Sequence, residues 1–206
     1  MKLIIIGPQG SGKGTQAKLI SEKYNIPHIS TGDIFRENIR EQTDLGKTAQ
    51  EYINRGELVP DNITNALVHS RLSTQDCFKG FILDGFPRNI EQAKALERLV
   101  NVDKVIYLEL AENVAVSRIS SRRVCESCGM VYSALHDDVT KGCTKCGGKL
   151  MIRDDDTPDA VRNRLALFRQ QTKPLVEYYA QKNILINVNG DGSIERVFVD
   201  IIHGLS

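Results

Sequence analysis

A glycine-rich segment near the start of the chain limits the possible folds more than any other feature. The sequence GPQGSGKGT, residues 7–15, follows the apolar run of residues 3–6 and leads into helical spacing of Ala17, Ile20 and Tyr24. A strand, a glycine-rich turn and a helix in this order form a phosphate-binding loop. Its glycines let backbone N–H groups face phosphate oxygens at the positive end of the helix dipole. We therefore expect the backbone of this loop to contact nucleotide phosphates.

Two residues of this loop have distinct expected roles. Lys13 is long enough to reach the outer phosphates of a nucleotide. The next position, where the common consensus has serine or threonine, is Gly14, so the hydroxyl nearest a magnesium ion should come from Thr15. The loop therefore predicts a nucleotide-binding core.

Short β-rich runs alternate with helical patterns along the chain. Several of these runs are almost entirely apolar, which is typical of parallel strands that helices cover on both faces. The runs are residues 3–6, 27–30, 80–84, 104–109 and 184–188. The sequence therefore predicts an α/β fold with a parallel sheet.

Two segments do not fit this alternation and indicate inserted lobes. Residues 31–60 predict two short helices, the first ending near Gly46 and the second near Gly56. Residues 123–157 are rich in glycine, cysteine and charge, and residues 131–132 are their only plausible strand. A chain of 206 residues has room for one core with such small lobes, but not for a second full-sized domain.

Helix signals flank the second inserted segment. Arg118 and Arg122 are four residues apart, which predicts that both lie on one face of a helix leading into the segment. After the segment, Thr157 and Pro158 have the order of a capping residue and a first helical residue. Pro174 should kink or interrupt the helix that begins there.

A second candidate for phosphate chemistry lies where a predicted strand ends. The sequence FILDGFPR, residues 81–88, places Asp84 and Arg88 directly after a buried run. Ligands of open α/β sheets bind at the carboxyl ends of the strands, so both side chains should face the same crevice as the glycine-rich loop. Asp84 suits a magnesium ligand through water, and Arg88 suits bidentate contact with phosphate.

Four of the five cysteines form two Cys-x-x-Cys pairs with the spacing C-x2-C-x14-C-x2-C: Cys125, Cys128, Cys143 and Cys146. Two such turns can present four thiolates tetrahedrally and leave no open coordination position, so we expect structural zinc. Iron would fit the same thiolates. Metal-type pairs instead of disulfides also favour a reducing, cytoplasmic location.

The charge balance argues against binding to large polyanions. Lys and Arg number 27 against 26 Asp and Glu, a formal net charge of +1, whereas nucleic-acid binding requires clustered basic residues. No apolar stretch approaches the length of a membrane span, and no heptad pattern predicts an oligomer. We therefore expect a monomer without nucleic-acid or membrane partners.

Three motifs together give the chain a resemblance to the adenylate kinases along essentially its whole length. They are GxxGxGKGT at residues 7–15, STGD at residues 30–33 with Arg36, and DGFPR at residues 84–88 with Gln92. The resemblance implies a P-loop NTPase-type core with a five-stranded parallel sheet, formed by residues 1–29, 60–121 and 158–206. It also implies a helical monophosphate-binding lobe at residues 30–59 and a zinc-binding lid at residues 122–157.

The reaction that the resemblance implies is magnesium-dependent conversion of ATP and AMP to two ADP. AMP would contact Thr31, Arg36, Glu57, Leu58, Val59, Gly85, Phe86, Pro87, Arg88, Gln92, Arg153 and Arg164. ATP would contact the loop residues Gly10, Ser11, Gly12, Lys13, Gly14 and Thr15, together with Arg118, Arg122, Val131, Tyr132 and Gly192. The catalytic cations would be Lys13, Arg88, Arg122, Arg153 and Arg164. Such a set makes electrostatic sense, since a loose phosphoryl-transfer transition state needs positioned cations more than a base.

Two other functions stay open on the sequence. A monophosphate kinase of other base or donor specificity, GTP:AMP or UMP/CMP, would carry similar motifs, because a few hydrogen bonds discriminate between bases. A nucleic-acid-binding ATPase with a zinc ribbon is supported by Lys141, Lys145 and Lys149 near the cysteines. The four histidines show no ligand or relay spacing, and we assign them no role.

Overall fold

The computed structural model describes all 206 residues and contains two β-sheets surrounded by helices. The strands are β1 Lys2–Ile6, β2 His28–Ser30, β3 Phe81–Asp84, β4 Lys104–Glu109, β5 Arg122–Cys125, β6 Val131–Ser133, β7 Leu150–Met151 and β8 Leu185–Asn189. The α-helices are α1 Lys13–Tyr24, α2 Thr31–Arg40, α3 Asp44–Asn54, α4 Asp61–Leu72, α5 Ile90–Glu97, α6 Glu112–Ser121, α7 Pro158–Leu167, α8 Pro174–Ala180 and α9 Ile194–Leu205. None of these helices has the length and apolar character needed to cross a membrane.

The larger sheet is parallel throughout, with five strands in the order β2-β3-β1-β4-β8. This confirms the predicted α/β fold, and the five strands match the five apolar runs within one or two residues at each end. Asp84 pairs in register with Ile5 on one side and with Ser30 on the other. The end of β3 therefore lies between the ends of β1 and β2, beside the glycine-rich loop.

Helices cover both faces of this sheet, which explains why its strands are apolar without alternation. Leu3 and Ile5 pack into a cluster with Ala17 and Ile20 of α1, whereas the alternate residues of β1 belong to a second cluster on the opposite face. Each fully buried side chain of this size contributes roughly 1.5–3 kcal/mol. The two clusters hold the ends of β1 and β3 in fixed positions.

The first inserted segment forms helices α2 and α3, whose apolar cluster, including Phe35, Ala49 and Val59, also packs against Ile63 and Leu67 of α4. The predicted helix end near Gly46 is wrong, because α2 ends at Arg40 and Gly46 lies in the first turn of α3. A Cβ atom on Gly46 would lie 2.1 Å from the carbonyl oxygen of Asn38. Glycine is needed here for the close approach of two helices, not for a helix end.

The second inserted segment contains a three-stranded antiparallel sheet in the order β6-β5-β7. The prediction of a single strand at residues 131–132 is therefore incomplete. The prediction that Arg118 and Arg122 share a helix face is wrong, because α6 ends at Ser121 and Arg122 begins β5 in an extended conformation. The two arginines point to different partners, as described below.

The return from this segment to the core follows the predicted helix signals. The side chain of Thr157 accepts a hydrogen bond from the N–H group of Ala160, and Pro158 is the first residue of α7. Pro174 lacks an N–H group and interrupts the helix, as predicted. A wider π-helical turn, Phe168–Thr172, precedes it, with the N–H group of Lys173 bonded to the carbonyl oxygen of Phe168 at 2.7 Å.

Candidate active site

The glycine-rich loop between β1 and α1 forms the floor of the site. Gly10 and Gly12 have φ angles of 81° and 90°, a left-handed conformation that glycine adopts without steric cost. Lys13 begins α1, and its Nζ donates to the carbonyl oxygens of the first two loop residues at 2.7 Å each. The side-chain oxygen of Ser11 is buried without a hydrogen-bond partner in the protein. The loop thus combines a cation and an unpaired polar group, which fit a phosphate.

The electrostatic surroundings of Lys13 show which predicted residues meet at this loop. Burial is the main cause that lowers the pKa of Lys13 to about 8. The Asp84 carboxylate opposes this effect, while the guanidinium groups of Arg88, Arg122 and Arg164 add to it. Three arginines from distant parts of the sequence therefore approach the same lysine. Like charges gathered in this way repel one another unless an anion offsets them.

The end of β3 positions an acid and an arginine beside the loop. The carboxylate of Asp84 is buried and faces Gly14, since a Cβ atom on that glycine would lie 3.5 Å from its Oδ2. The Nε of Arg88 donates to the carbonyl oxygen of Gly85 at 2.8 Å, and the hydroxyl of Thr31 donates to the same oxygen at 3.0 Å. Burial lowers the pKa of Arg88 to about 10. The predicted phosphate ligands of β3 thus lie in one crevice with the loop.

A narrow cleft separates the first inserted lobe from the core. It is lined by Gln9, Gly56, Leu58, Arg88, Arg164, Leu167, Phe168 and Thr172. The side chains of other predicted AMP contacts are less available to a ligand. Val59, Phe86 and Pro87 are buried, and Glu57 forms an ion pair with Arg55 at 3.0 Å. Any ligand in the cleft would meet the backbone of these residues instead of their side chains.

Two acids at the end of the second lobe hold its arginines in place. The side chain of Asp156 is fully buried and pairs with both Arg122 and Arg164, its Oδ2 accepting from Arg122 Nε at 2.9 Å. Asp155 accepts from Arg164 at 2.5 Å. Burial raises the pKa of Asp155, but Arg164 and the other nearby arginines more than offset it, so the pKa lies below its ordinary value. The carboxylates thus orient the two guanidinium groups toward the loop.

The remaining predicted cations come from the two lobes and face each other. Arg36 of α2 pairs with Asp33 at 2.5 Å. Burial is the main cause that lowers the pKa of Arg153 to about 10, and the next is the positive charge of Arg36. The predicted catalytic arginines therefore converge from three parts of the fold.

On the other side of the loop, Arg118 lies near the turn between β8 and α9. Its Nη1 donates to the carbonyl oxygen of Gly190 at 2.9 Å, and its Nη2 lies 3.5 Å from a carboxylate oxygen of Asp191. A Cβ atom on Gly190 would lie 3.3 Å from the carbonyl oxygen of Ser11, so this turn borders the glycine-rich loop. The turn contains Gly192, a predicted ATP contact.

The four predicted metal ligands lie together in the second lobe: Cys125, Cys128, Cys143 and Cys146. Their Sγ atoms are all within 4.8 Å of one another, and two Sγ–Sγ pairs are 3.5 Å apart. Four thiolates bound to zinc at ~2.3 Å would be ~3.8 Å apart, so the cluster fits a tetrahedral ion. Gly148 has to be a glycine, because a Cβ atom there would lie 2.8 Å from the Sγ of Cys125.

Tyr132 connects β6 with the second cysteine turn. Its hydroxyl donates to the Sγ of Cys143 at 3.3 Å and accepts from the N–H group of Thr144 at 2.8 Å. The hydrogen bond from Tyr132 is the main cause that lowers the pKa of Cys143 to about 6. Val131, its predicted neighbour in ATP binding, is exposed. Within β6, the exposed side chain of Val131 and the backbone are therefore the groups available to a nucleotide.

Two residues near the site were missed by the sequence analysis. His28, which had no assigned role, lies with its Nε2 3.5 Å from Asp84 Oδ2 and is largely buried. Asp61, the first residue of α4, accepts a hydrogen bond from Gln92 Nε2 at 2.7 Å. The sequence places His28 in a predicted strand, residues 27–30, but does not indicate its contact with Asp84. For Asp61, the sequence indicates only the start of a helix.

Comparison with known proteins identifies the family. A family model described as adenylate kinase matches residues 5–184. A curated adenylate kinase of Thermoanaerobacter sp. (strain X514) is 49% identical over 98% of this chain and 96% of the relative. The chain belongs to the adenylate kinase family. Two other relatives support this assignment. The adenylate kinase of Fervidobacterium nodosum is 51% identical over 96% of this chain and 94% of the relative. The adenylate kinase of Clostridioides difficile is 47% identical over 100% of this chain and 98% of the relative.

Membership of the adenylate kinase family confirms the predicted enzyme class. The chain is a phosphotransferase of the nucleoside monophosphate kinase type, with adenylate kinase function. The family acts on ATP, AMP and ADP and generally uses Mg²⁺. The cluster of four cysteines is compatible with zinc.

Proposed function

We propose that this chain transfers the terminal phosphoryl group of ATP to AMP reversibly, through a site that closes around two phosphate chains. The observation that carries the proposal is the convergence of Arg88, Arg122 and Arg164 on Lys13. Arg36 lies near enough to Arg88 to lower its pKa, so a further cation adjoins this group on the side of the first lobe. Together these cations suit two polyanions whose mutual repulsion must be offset before they can react.

We assign the ATP phosphates to the glycine-rich loop. Loop N–H groups, the unpaired Ser11 hydroxyl and Lys13 would bind them, with Arg118 and the turn at Gly192 beside the nucleoside. Asp84 and Thr15 offer the oxygen ligands that magnesium prefers, and the buried Asp84 carboxylate faces the loop. When bound, Mg²⁺ would neutralise charge on the phosphates. Lys13 would then exchange its bonds to loop carbonyl oxygens for bonds to phosphate.

We assign AMP to the cleft between the first lobe and the core. Arg88, whose guanidinium group is oriented by its bond to the Gly85 carbonyl, and Arg36 would bind the monophosphate. The backbone of residues 57–59 and the side chain of Leu58 would enclose the nucleoside. Gln92, buried at the start of α5, is the side chain that we assign to the base.

Phosphoryl transfer would then depend on orientation and electrostatics. A loose transition state spreads charge over the transferring oxygens, which Lys13, Arg122, Arg153 and Arg164 would meet in preset positions. Asp155 and Asp156 fix two of these arginines through buried ion pairs. No side chain needs to act as a general base in this arrangement.

We propose that residues 30–59 and 122–157 move as lobes on the core formed by 1–29, 60–121 and 158–206. The second lobe has a small core of its own, and the apolar cluster of the first lobe packs only on α4 of the core, which supports movement of each. The first lobe contacts α7, since Asn163 Nδ2 donates to the carbonyl oxygen of Arg55 at 3.0 Å. Lobe closure would exclude water, which prevents wasteful hydrolysis of ATP.

We propose that the four cysteines bind structural zinc. The fit of their Sγ spacing to a tetrahedral ion and the absence of an open ligand position support this assignment. Metal-type cysteine pairs also support a cytoplasmic location. The balanced charge of the chain supports an enzyme without nucleic-acid partners, and the lack of a heptad pattern supports a monomer.

A survey of acceptors tests the proposal against its nearest alternatives. Rates of ADP formation from MgATP would be compared with AMP, GMP, CMP and UMP as acceptors, and then with MgGTP as donor. We expect AMP with ATP to give the highest kcat/KM. Turnover of UMP or CMP equal to that of AMP would assign the chain to a different monophosphate kinase. ATPase activity that requires DNA or RNA, but not AMP, would support the zinc-ribbon alternative.

A further inference from the structure

The side-chain amide of Gln92 is buried, with 1% of the residue exposed, and both of its ends are hydrogen-bonded. Its Oε1 accepts from the backbone N–H group of Arg88 at 2.7 Å, and its Nε2 donates to Asp61 Oδ1 at 2.7 Å. Asn89 supports the arrangement, since its Nδ2 lies 3.1 Å from both carboxylate oxygens of Asp61. The Oδ1 of Asn89 also accepts from the backbone N–H group of Gln92 at 2.8 Å.

These partners allow only one orientation of the amide. A peptide N–H group can only donate, and an ionised carboxylate can only accept. Rotation of the Gln92 amide by 180° would place its NH₂ group against the Arg88 N–H and its oxygen against Asp61. Two hydrogen bonds would be replaced by two repulsive contacts. The orientation thus follows from the chemistry of the neighbours, whichever way the amide atoms are first assigned.

We infer that Asp61 is a positioning residue that sets acceptor specificity by fixing the orientation of the Gln92 amide. The inference rests on the proposed function, in which Gln92 faces the base of the monophosphate. Asp61 itself begins α4, outside the predicted monophosphate-binding lobe of residues 30–59, and acts through Gln92 without touching the substrate.

The fixed amide distinguishes two classes of purine. Its oxygen has one further lone pair and its nitrogen one further N–H group, so it can still accept one hydrogen bond and donate another. Adenine offers a 6-amino donor next to the N1 acceptor. A 6-oxopurine offers the reverse, a carbonyl acceptor next to an N1–H donor. An amide free to rotate would serve both classes, whereas a fixed amide is matched to one and leaves polar groups unpaired with the other.

The test substitutes Asp61→Asn, which preserves shape but adds a donor and removes the charge. Asp44→Asn is the matched control, because Asp44 is also the first residue of a helix but its side chain is exposed and lies far from Gln92 in the sequence. The ratio of kcat/KM for AMP to kcat/KM for IMP, with MgATP as donor, is measured in each protein. We expect the ratio to fall by about tenfold or more in Asp61→Asn. It should stay at the wild-type value in Asp44→Asn.

A double variant separates a positioning role from a general loss of structure. Gln92→Ala should lower the AMP preference by itself, and adding Asp61→Asn to it should change the ratio no further. An unchanged ratio in Asp61→Asn, alongside a lowered ratio in Gln92→Ala, would overturn the inference and leave the proposed function intact. An unchanged ratio in Gln92→Ala, or no transfer to AMP by the wild-type enzyme, would overturn the proposed function and the inference with it.

A second measurement uses the wild-type protein, so that it does not depend on the folding of a variant. The Gln92 side-chain amide protons, assigned by their loss in Gln92→Ala, should exchange with solvent more slowly than those of the exposed Gln75. Equal exchange rates would show that the amide is not held in place and would overturn the inference.

Discussion

The buried carboxylate of Asp156 gives the strongest test of how the catalytic arginines are held. Its side chain has no exposed surface and is shared by Arg122 and Arg164, whose side chains are 16% and 11% exposed. Asp156→Asn preserves the shape but leaves two largely buried guanidinium groups without their shared negative charge. Breaking a buried ion pair by loss of one partner costs about 3–5 kcal/mol.

For a chain of this size, that cost corresponds to a fall in Tm of about 6–20 °C, measured by circular dichroism or calorimetry. Turnover should fall as well, because both arginines lose their fixed orientation. The control is Asp138→Asn in the same lobe, where the ion pair with Lys141 is exposed and should contribute little to stability. Equal shifts in Tm for the two variants would refute the claim that the buried pairs organise the site.

Three further predictions concern the cations and the metal. Arg88→Ala should lower kcat about 100-fold or more with little change in Tm, because it removes one preorganised charge-stabilising contact; the exposed Arg98→Ala is its control, and equal rates in the two variants would remove Arg88 from the site. Burial lowers the pKa of Lys13 in the free enzyme to about 8, which predicts that kcat/KM for ATP falls as the pH rises through that value, since the neutral amine attracts phosphate less. The same fall of kcat/KM at high pH in a Lys13→Arg variant, whose side chain stays charged, would contradict this assignment. Replacing Cys143 and Cys146 by Ser should release metal, measured with a chromogenic chelator, and lower Tm, with only modest loss of initial activity at low temperature; unchanged metal content and Tm would show that these cysteines do not hold a structural ion.

The core was predictable because its determinants are local. Strands buried on both faces are apolar throughout, and the glycine-rich loop between β1 and α1 carries a sequence that few other structures require. The signals at Thr157 and Pro174 were read correctly for the same reason, since a helix cap and the loss of an N–H group act within one turn of helix.

The errors arose where distant contacts decide the structure. A glycine such as Gly46 can either end a helix or allow a second helix to pack closely against it. Only the contact with Asn38, which the sequence does not show, decides that Gly46 does the latter. Strand β5 begins with two arginines and β7 has only two residues, so their pairing in a small sheet next to the cysteine cluster left little pattern to detect. Arg122 kept its predicted place near the loop although its element was assigned wrongly, because the buried Asp156 positions its side chain.

The roles of Asp61 and His28 were beyond the reach of the sequence. Asp61 contacts a residue that is 31 positions away, and His28 approaches Asp84 across neighbouring strands. In both cases the residue type is compatible with many surface roles, and only the fold brings it to a partner in the site.

The central claim is that a cation-rich site joins two nucleotides for direct phosphoryl transfer. The most direct measurement is the stoichiometry of ADP formation, followed by chromatography of the nucleotides with and without AMP and with and without Mg²⁺. The account predicts two ADP formed for each ATP consumed, with one AMP lost, and almost no ATP consumed when AMP is omitted. One ADP and one inorganic phosphate per ATP, at a rate independent of AMP, would contradict it.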